Sequence, residues 1–156
     1  MTCRSTIDEF LGVKRLAVIG VSRHAKDFTR SLFRELQEHG YELVPVHPEA
    51  AEIEGIPAVA NVKDVQPAVE GALLLTKPAV TDVVVRECRD AGIPRIWLHR
   101  GAGAGAGAVS REAIEFCSQN KISLVEGECP YMFLPDSGFP HNVHAFCRKL
   151  LGRYPK

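Results

Sequence analysis

The sequence lacks a charge excess of either sign and lacks any long apolar run. Its 19 Lys and Arg residues are balanced by 19 Asp and Glu residues, so the formal net charge is zero. A general nucleic-acid-binding protein would carry a strongly basic surface, and a membrane-spanning helix would need roughly 18 consecutive apolar residues. We therefore expect neither nucleic acid nor a membrane as a partner of this chain.

Closely spaced cysteines and a secretory signal are also missing. The five cysteines are an odd number, lie far apart and form no Cys-x-x-Cys pair, which argues against a disulfide framework and against a zinc knuckle. The N-terminal residues include Asp8 and Glu9 and no long apolar core, unlike a secretory signal. These absences predict a cytoplasmic protein without a metal site.

What is present is an alternation of apolar runs with amphipathic segments of helix length, a pattern typical of a parallel α/β sheet. The 156 residues are 46% hydrophobic, enough for one domain with a buried core. We predict strands at Arg15–Ile19, Glu42–Val46, Gly71–Thr76, Arg95–His99 and Ile122–Glu126, and a short strand near Ala58–Ala60. We predict helices at Phe28–His39, Pro78–Ala91, Val109–Gln119 and Pro140–Leu151. The first three helices are followed by residues suited to a left-handed helix end, which are Gly40, Gly92 and Asn120.

The turn after the first strand has the composition of a phosphate site. The strand stops at Gly20, and hydroxyl and basic side chains follow before the helix begins at Phe28. A helix N-terminus at the carboxyl end of a buried strand attracts anions, and guanidinium groups bind phosphate oxygens as a fork. The candidate ligand residues are Ser22, Arg23, His24 and Lys26, with Arg30 one helical turn further. The same residues also occur in ordinary solvated loops, and the strand-turn-helix context is what favours phosphate binding.

The ends of two other strands are expected to converge on this turn. In a doubly wound sheet the first strand lies at the point where strand order reverses, and ligands bind outside the carboxyl ends of the strands. The second strand ends at His47 and Pro48, and the strand predicted at 71–76 is followed by Lys77 and Pro78. We therefore predict one site that is built from the ends of these three strands. Residues 99–105 and 126–130 follow later strands and are further candidate walls.

Several ordered motifs together resemble one known family. They are Val18-Ile-Gly-Val-Ser-Arg23, Gly40-Tyr-Glu-Leu-Val-Pro-Val-His-Pro48, Ile53-Glu-Gly-Ile-Pro57, Ile96-Trp-Leu-His99 and Cys129-Pro-Tyr-Met-Phe133. From about Val13 to Pro155 the chain is similar to the small single-domain CoA-binding proteins, which are related to the CoA-binding domain of the succinyl-CoA synthetase alpha subunit. The resemblance implies a Rossmann-like three-layer α/β sandwich, a mainly parallel sheet of five to six strands with helices on both faces, formed by residues 1–156 as a single domain.

The resemblance also implies a ligand, coenzyme A or acyl-CoA, and residues that hold it. The Gly20-Val21-Ser22 turn, with Arg23 and Lys26, would bind the CoA phosphates. The later strand ends would line the nucleotide with Pro48, Thr76, Lys77 and Pro78. Family members commonly have Asn where His47 stands, have Pro where Ala25 stands, and rarely carry an alternating Gly-Ala tract like that at 101–108.

We predict non-catalytic binding of CoA or acyl-CoA in a regulatory or carrier role. No pair of residues forms an acid/base set or an activated nucleophile, and we do not expect the second domain that carries the phosphorylated histidine of the synthetases. The rival interpretation is an NAD(P)-dependent oxidoreductase or another nucleotide-dependent enzyme in the same crevice. Against it, the first turn has one glycine rather than three, and His47-Pro48 stands where an NAD site has Asp or Glu. A homo-oligomer or a larger acyl-CoA enzyme would be a compatible partner.

Three further features each allow two interpretations. The tract Gly101–Ala108 is either a second phosphate loop or, as its strict alternation favours, a flexible surface loop that could cover a ligand. His141 and His144 are metal ligands or, as the helical projection favours, part of a polar helix face. Cys129 is a redox thiol or a packed small hydrophobe, and the lack of an activating neighbour favours the second.

Overall fold

The part of the chain that the computed structural model describes, residues 2–101, 105 and 107–135, alternates strands with helices. The strands are β1 (Arg15–Ile19), β2 (Glu42–Val46), β3 (Glu52–Ile53), β4 (Ile56–Pro57), β5 (Gly71–Leu74), β6 (Arg95–His99) and β7 (Ser123–Glu128). The helices are α1 (Arg4–Leu11), α2 (Phe28–Glu38), α3 (Pro78–Asp90) and α4 (Arg111–Gln119), with short 3₁₀ helices at Val62–Asp64 and Pro130–Met132. One parallel sheet has the order β2-β1-β5-β6-β7, and β3 and β4 form a separate antiparallel hairpin.

Successive residues of each sheet strand point to opposite faces, and helices cover both faces. Val18, Leu73 and Trp97 pack with residues of α1 and α2, whereas Ala17 and Ala72 pack with residues of α3 and α4. A parallel sheet that is covered on both sides needs apolar residues at nearly every strand position, which explains the continuous apolar runs in the sequence. The predicted Rossmann-like α/β fold is confirmed, with five strands in the described sheet.

The helix α1 was not predicted from the sequence. It packs on the sheet through Ile7 and Phe10, which are both buried, and the Phe10 ring meets the Trp97 ring edge-on at 5.2 Å between centroids. Two core-facing side chains in one short helix are too few for a helical period to stand out from the sequence.

Two sheet strands have ends that differ from the predicted ones. The strand predicted at 71–76 ends at Leu74, because Thr76 already belongs to the turn that leads into α3. The strand predicted at 122–126 is shifted toward the C-terminus as β7. Gly127 takes a φ of +72° there, and an irregular register between β6 and β7 lets the pairing continue to the next residue.

The connection between β2 and β5 differs from the prediction in two places: the predicted short strand is not formed, and an unpredicted hairpin precedes it. The short strand predicted near 58–60 is a single parallel bridge between Val46 and Val59. The hairpin of β3 and β4 was not predicted, since two residues per strand show no alternation that a sequence pattern can detect.

The predicted helix ends are correct at two glycines and wrong at Asn120. Gly40 and Gly92 have φ values of +85° and +75°, whereas Asn120 has a φ of −98° and Lys121 takes the left-handed position with a φ of +57°. Asn120 instead caps the helix, because its side-chain amide donates to the Phe116 carbonyl at 2.8 Å. The left-handed position therefore falls one residue later.

None of the helices in the described part of the chain is long and apolar enough to cross a membrane. The helix predicted at Pro140–Leu151, together with His141 and His144, lies outside the described residues.

Candidate functional site

The carboxyl ends of β2, β1 and β5 meet at one groove, because β1 lies between the other two strands. The groove has a volume of about 380 Å³. Its lining residues are Ile19, Gly20, Val21, Ser22, Arg23, His24, Val46, His47, Pro48, Thr76 and Val80. The structure therefore brings most of the sequence-predicted residues together, while Lys26, Arg30, Lys77 and Pro78 lie outside this lining. Their roles in ligand binding stay predictions.

Gly20 is required by the packing of the strand ends. Its φ is +95°, and a Cβ atom at this position would lie 2.8 Å from the carbonyl carbon of Leu75 and 3.0 Å from Cγ2 of Thr76. A side chain would therefore clash with the end of the neighbouring strand. The single glycine of the turn thus serves the close approach of β1 and β5.

A network of side chains orders the basic turn from its helical side. Asp27 is the N-cap of α2 and accepts hydrogen bonds from the backbone N–H and the hydroxyl of Thr29 at 2.8 and 2.6 Å. These two bonds hold the pKa of Asp27 below its ordinary value. The Thr29 hydroxyl in turn accepts from the Ser22 N–H at 2.8 Å. The Asp27 carboxylate already accepts the Thr29 N–H of the helix N-terminus and places a negative charge there, so binding of an anion would depend mainly on the side chains of the turn.

Comparison with known proteins identifies the family. A family model described as a CoA binding domain matches residues 14–135. The chain belongs to this CoA-binding family. The protein YneT of Bacillus subtilis, which is described as uncharacterized, is 24% identical over 116 residues, or 74% of this chain and 82% of YneT.

A second relative is similar to part of the chain, and a solved structure shares its fold. The alpha subunit of an ADP-forming acetate–CoA ligase of Pyrococcus furiosus is 27% identical over 93 residues, which are 59% of this chain but 20% of that subunit. A hypothetical protein from Pyrococcus horikoshii has the same fold with a TM-score of 0.74 at 23% identity, covering 83% of this chain and 87% of that one. The CoA-binding domain of this chain thus matches a small part of the ligase subunit.

Arg30 of this CoA-binding domain lies behind the basic turn. Its Nε donates to Glu54 at 2.6 Å, and one terminal nitrogen lies 3.4 and 3.3 Å from the carbonyl oxygens of Ser22 and Arg23. Glu54 also accepts from Arg34 at 2.9 Å. Burial raises the pKa of Glu54, but the two guanidinium groups outweigh this effect and hold the pKa below its ordinary value. Arg30 therefore holds the turn in place through Ser22 and Arg23, and its role in phosphate binding stays a prediction.

His47, which stands where Asn is common in the family, organises the loop after β2. Its Nδ1 accepts the backbone N–H groups of Glu49 at 3.0 Å and Ala50 at 2.9 Å. An atom that accepts two hydrogen bonds carries no proton, so the ring proton lies on Nε2. A side-chain oxygen of Asn could accept the same bonds, which explains how His fits here. Glu49 also pairs with Arg23 at 3.3 Å, which joins the loop to the basic turn.

A second, apolar groove adjoins the first and shares Ile19, Val46, Pro48 and Val80 with it. It also has a volume of about 380 Å³ and extends along α3 past Val83. The side chains of Val80 and Val83 are 48% and 56% exposed, so this groove offers an open apolar surface beside the basic turn.

The later candidate walls lie at the ends of β6 and β7. Burial lowers the pKa of His99 to about 4, and its Nε2 is buried without a hydrogen-bond partner among the described residues. The Gly-Ala tract returns to this strand end, where the Ala108 N–H donates to the His99 carbonyl at 2.8 Å. Residues 102–104 and 106 of the tract lie outside the described residues, so both interpretations of the tract stay open.

Burial raises the pKa of Cys129 to about 11, which favours a packed thiol over an activated one.

Proposed function

We propose that this member of the CoA-binding family binds coenzyme A or acyl-CoA in the groove at the carboxyl ends of β1, β2 and β5. One observation carries the proposal. The basic turn after β1 meets the loop after β2 and the end of β5 in a single groove, within the segment that the family model matches. This is the place in a doubly wound sheet where nucleotides bind.

Exposed basic side chains support binding of the phosphate end of this ligand. Arg23, His24 and Lys26 are all exposed on the turn. In the described part of the chain Arg23 pairs with one exposed carboxylate, Glu49, and both side chains are more than 60% exposed (63% and 64%). Exposed pairs of this kind contribute little free energy. A multiply charged phosphate group can therefore displace Glu49 at small cost.

The chemistry of the groove supports binding without catalysis. Among the described residues that line it, the titratable side chains are Arg23, His24 and His47. This set contains no carboxylate to orient a histidine and no thiol to act as a nucleophile. The proposed role is to hold CoA or acyl-CoA as a regulatory ligand or as cargo.

Thermal unfolding with added ligand tests this function. The purified protein is titrated with CoA, acetyl-CoA, NAD and NADP. A ligand that binds the folded state alone stabilises it by about 2.7 kcal/mol at a hundred times its Kd, so the melting temperature should rise with CoA or acetyl-CoA. Stabilisation by NAD or NADP without any effect of either CoA form would contradict the proposal and support the oxidoreductase.

A further inference from the structure

His39 joins the C-terminal end of α2 to the segment that follows β7, residues 129–135. It is the C-cap residue of α2. Its Nδ1 lies 2.8 Å from the carbonyl oxygen of Glu35, and its Nε2 lies 2.7 Å from the carbonyl oxygen of Pro135. Both distances are those of good hydrogen bonds. The side chain is 19% exposed, so water has limited access to these two contacts.

The two carbonyl contacts determine the charge of the His39 ring. A carbonyl oxygen can accept a hydrogen bond but cannot donate one, so both ring nitrogens must donate for both bonds to form. A neutral imidazole has a single N–H, and its other nitrogen would place a lone pair against a carbonyl oxygen at hydrogen-bond distance. The imidazolium form satisfies both contacts.

The surroundings on α2 favour the same charged form. The C-terminal end of a helix attracts a positive charge through the helix dipole, and the last turn of α2 contains no basic residue. The carboxylate of Glu35 lies 3.7 Å from Nδ1 of His39. Arg34, which precedes Glu35, is directed to another partner, because it donates to Glu54 at 2.9 Å.

Titratable groups also face His39 from the neighbouring elements. A groove of about 420 Å³ beside the ring is lined by Arg4 and Asp8 of α1 and by Tyr41 just before β2. Arg4 and Asp8 pair with each other at 2.8 Å. Burial raises the pKa of Tyr41, and it raises the pKa of Tyr131 on the segment after β7 to about 12. The two phenols are therefore uncharged, and the Arg4 charge is balanced within α1.

The segment after β7 is held at its two ends in different ways. Residues 131–134 are buried and pack with residues of α1 and α2, and the N–H groups of Phe133 and Leu134 donate to the Pro130 carbonyl at 2.9 and 3.2 Å. Pro135 is exposed and has no N–H to donate. The bond from His39 to the Pro135 carbonyl therefore ties the exposed end of this segment to α2.

We propose that His39 is a pH-dependent latch, whose imidazolium holds the segment after β7 on the end of α2 and whose deprotonation releases the Pro135 carbonyl. The latch goes beyond the proposed function and does not depend on it. When the ring loses a proton, one of its two carbonyl contacts becomes repulsive. The Glu35 carbonyl is fixed one helical turn earlier in α2, so the exposed Pro135 is the partner that moves away. The latch is closed at low pH and opens as the pH rises above neutral.

Nitrogen NMR of the unmodified protein tests the charge of the ring. Both ring nitrogens of His39 should carry protons at about pH 7.5, where an ordinary exposed histidine is mostly neutral. One proton should be lost by about pH 9. A ring that is already neutral at about pH 7.5, or one that keeps both protons at about pH 9, would overturn the inference.

Hydrogen exchange at the Phe133 and Leu134 amides measures the latch itself, after correction for the intrinsic effect of pH on exchange. In the wild type their protection should fall by about tenfold between about pH 6.5 and about pH 9. His39→Gln offers one amide nitrogen in place of two ring nitrogens, so protection should be low at both pH values. His39→Arg keeps a positive charge and several donors, so protection should stay high at both.

Glu35→Gln gives a graded test of the same latch. It removes the carboxylate beside Nδ1, so the loss of protection should occur at a lower pH than in the wild type. Wild-type protection that does not change with pH would overturn the inference, and so would an equal loss in His39→Arg. If His39→Gln does not fold, the wild type and His39→Arg still decide the question.

Discussion

The side chains of Arg30 and Glu54 tie the basic turn to the hairpin of β3 and β4, with 2.6 Å between Nε and the carboxylate oxygen. Both side chains are mostly buried, at 13% and 18% exposure, and Glu54 takes a left-handed φ of +49° at the hairpin tip. The same guanidinium lies against two carbonyl oxygens of the turn. The hairpin therefore helps to set the shape of the groove although it does not line it.

Glu54→Gln should lower both stability and ligand affinity. The substitution removes the charge that two arginines share, and we expect the free energy of unfolding to fall by about 1 kcal/mol, after allowance for solvent screening. The pKa of Glu54 is held below its ordinary value, so this stabilisation is present at neutral pH and is lost as the pH falls through the folded-state pKa. Urea denaturation at pH 7 measures it.

The matched control for Glu54→Gln is Glu52→Gln. Glu52 is on the same hairpin, is exposed, and makes no ion pair within the described part of the chain. The Glu52→Gln variant should leave both the free energy of unfolding and the ligand affinity unchanged. An equal loss in the two variants would show that the ion pair with Arg30 contributes nothing.

The ion pair between Arg30 and Glu54 could not be predicted from the sequence. The sequence predicts that Arg30 binds phosphate, and this stays a prediction. Its contact with Glu54 could not be predicted, because it depends on where a distant hairpin with two residues per strand folds. The cap Asp27, by contrast, was detectable, because Asp directly before an amphipathic helix is a common N-cap. The strand order around β1 was also predictable, because parallel strands joined by helices follow few topologies.

Arg23→Ala combined with Lys26→Ala should weaken CoA binding by about tenfold to a hundredfold, because each cation is expected to make charge-assisted bonds to phosphate. Both residues are exposed, so the melting temperature without ligand should stay near that of the wild type. Arg111→Ala is the control, since the Arg111 side chain is 93% exposed and pairs within α4. Unchanged CoA affinity in the double variant would place the phosphates elsewhere.

Two substitutions of His47 test whether the hydrogen bonds that its Nδ1 accepts from the loop after β2 stabilise the protein. His47→Asn keeps a side-chain oxygen that can accept the N–H groups of Glu49 and Ala50, whereas His47→Ala leaves both without this partner. We expect His47→Ala to lose about 1 kcal/mol of unfolding free energy relative to His47→Asn, and to bind CoA more weakly because the loop after β2 is less ordered. Equal stability and affinity in the two variants, measured by urea denaturation and calorimetry, would refute the role of Nδ1.

The buried ring of His99 predicts a loss of stability in mild acid. Its pKa is lowered to about 4 in the folded protein, and it is about 6.5 in the unfolded chain. Between these two values the unfolded chain binds more protons, so the free energy of unfolding falls as the pH falls, by up to about 3 kcal/mol over the whole range. Urea denaturation at about pH 7 and about pH 4.5, roughly 2.5 pH units apart, measures this slope for the wild type and for His99→Gln. The slope should be smaller in His99→Gln, and equal slopes would contradict the burial of a neutral imidazole.

The two glycines Gly20 and Gly40 allow steric clash to be separated from backbone strain. Both have a positive φ, at +95° and +85°, but a Cβ at Gly20 meets the Leu75 carbonyl carbon at 2.8 Å, whereas a Cβ at Gly40 meets nothing within 4 Å. Gly40→Ala should therefore cost about 1 kcal/mol for the left-handed backbone alone. Gly20→Ala adds the clash and should cost on the order of 3 kcal/mol, and because β1 and β5 must separate, it should also weaken CoA binding in protein that remains folded. Denaturant unfolding of the two variants gives the difference directly, and equal costs would show that the two strand ends can part without penalty.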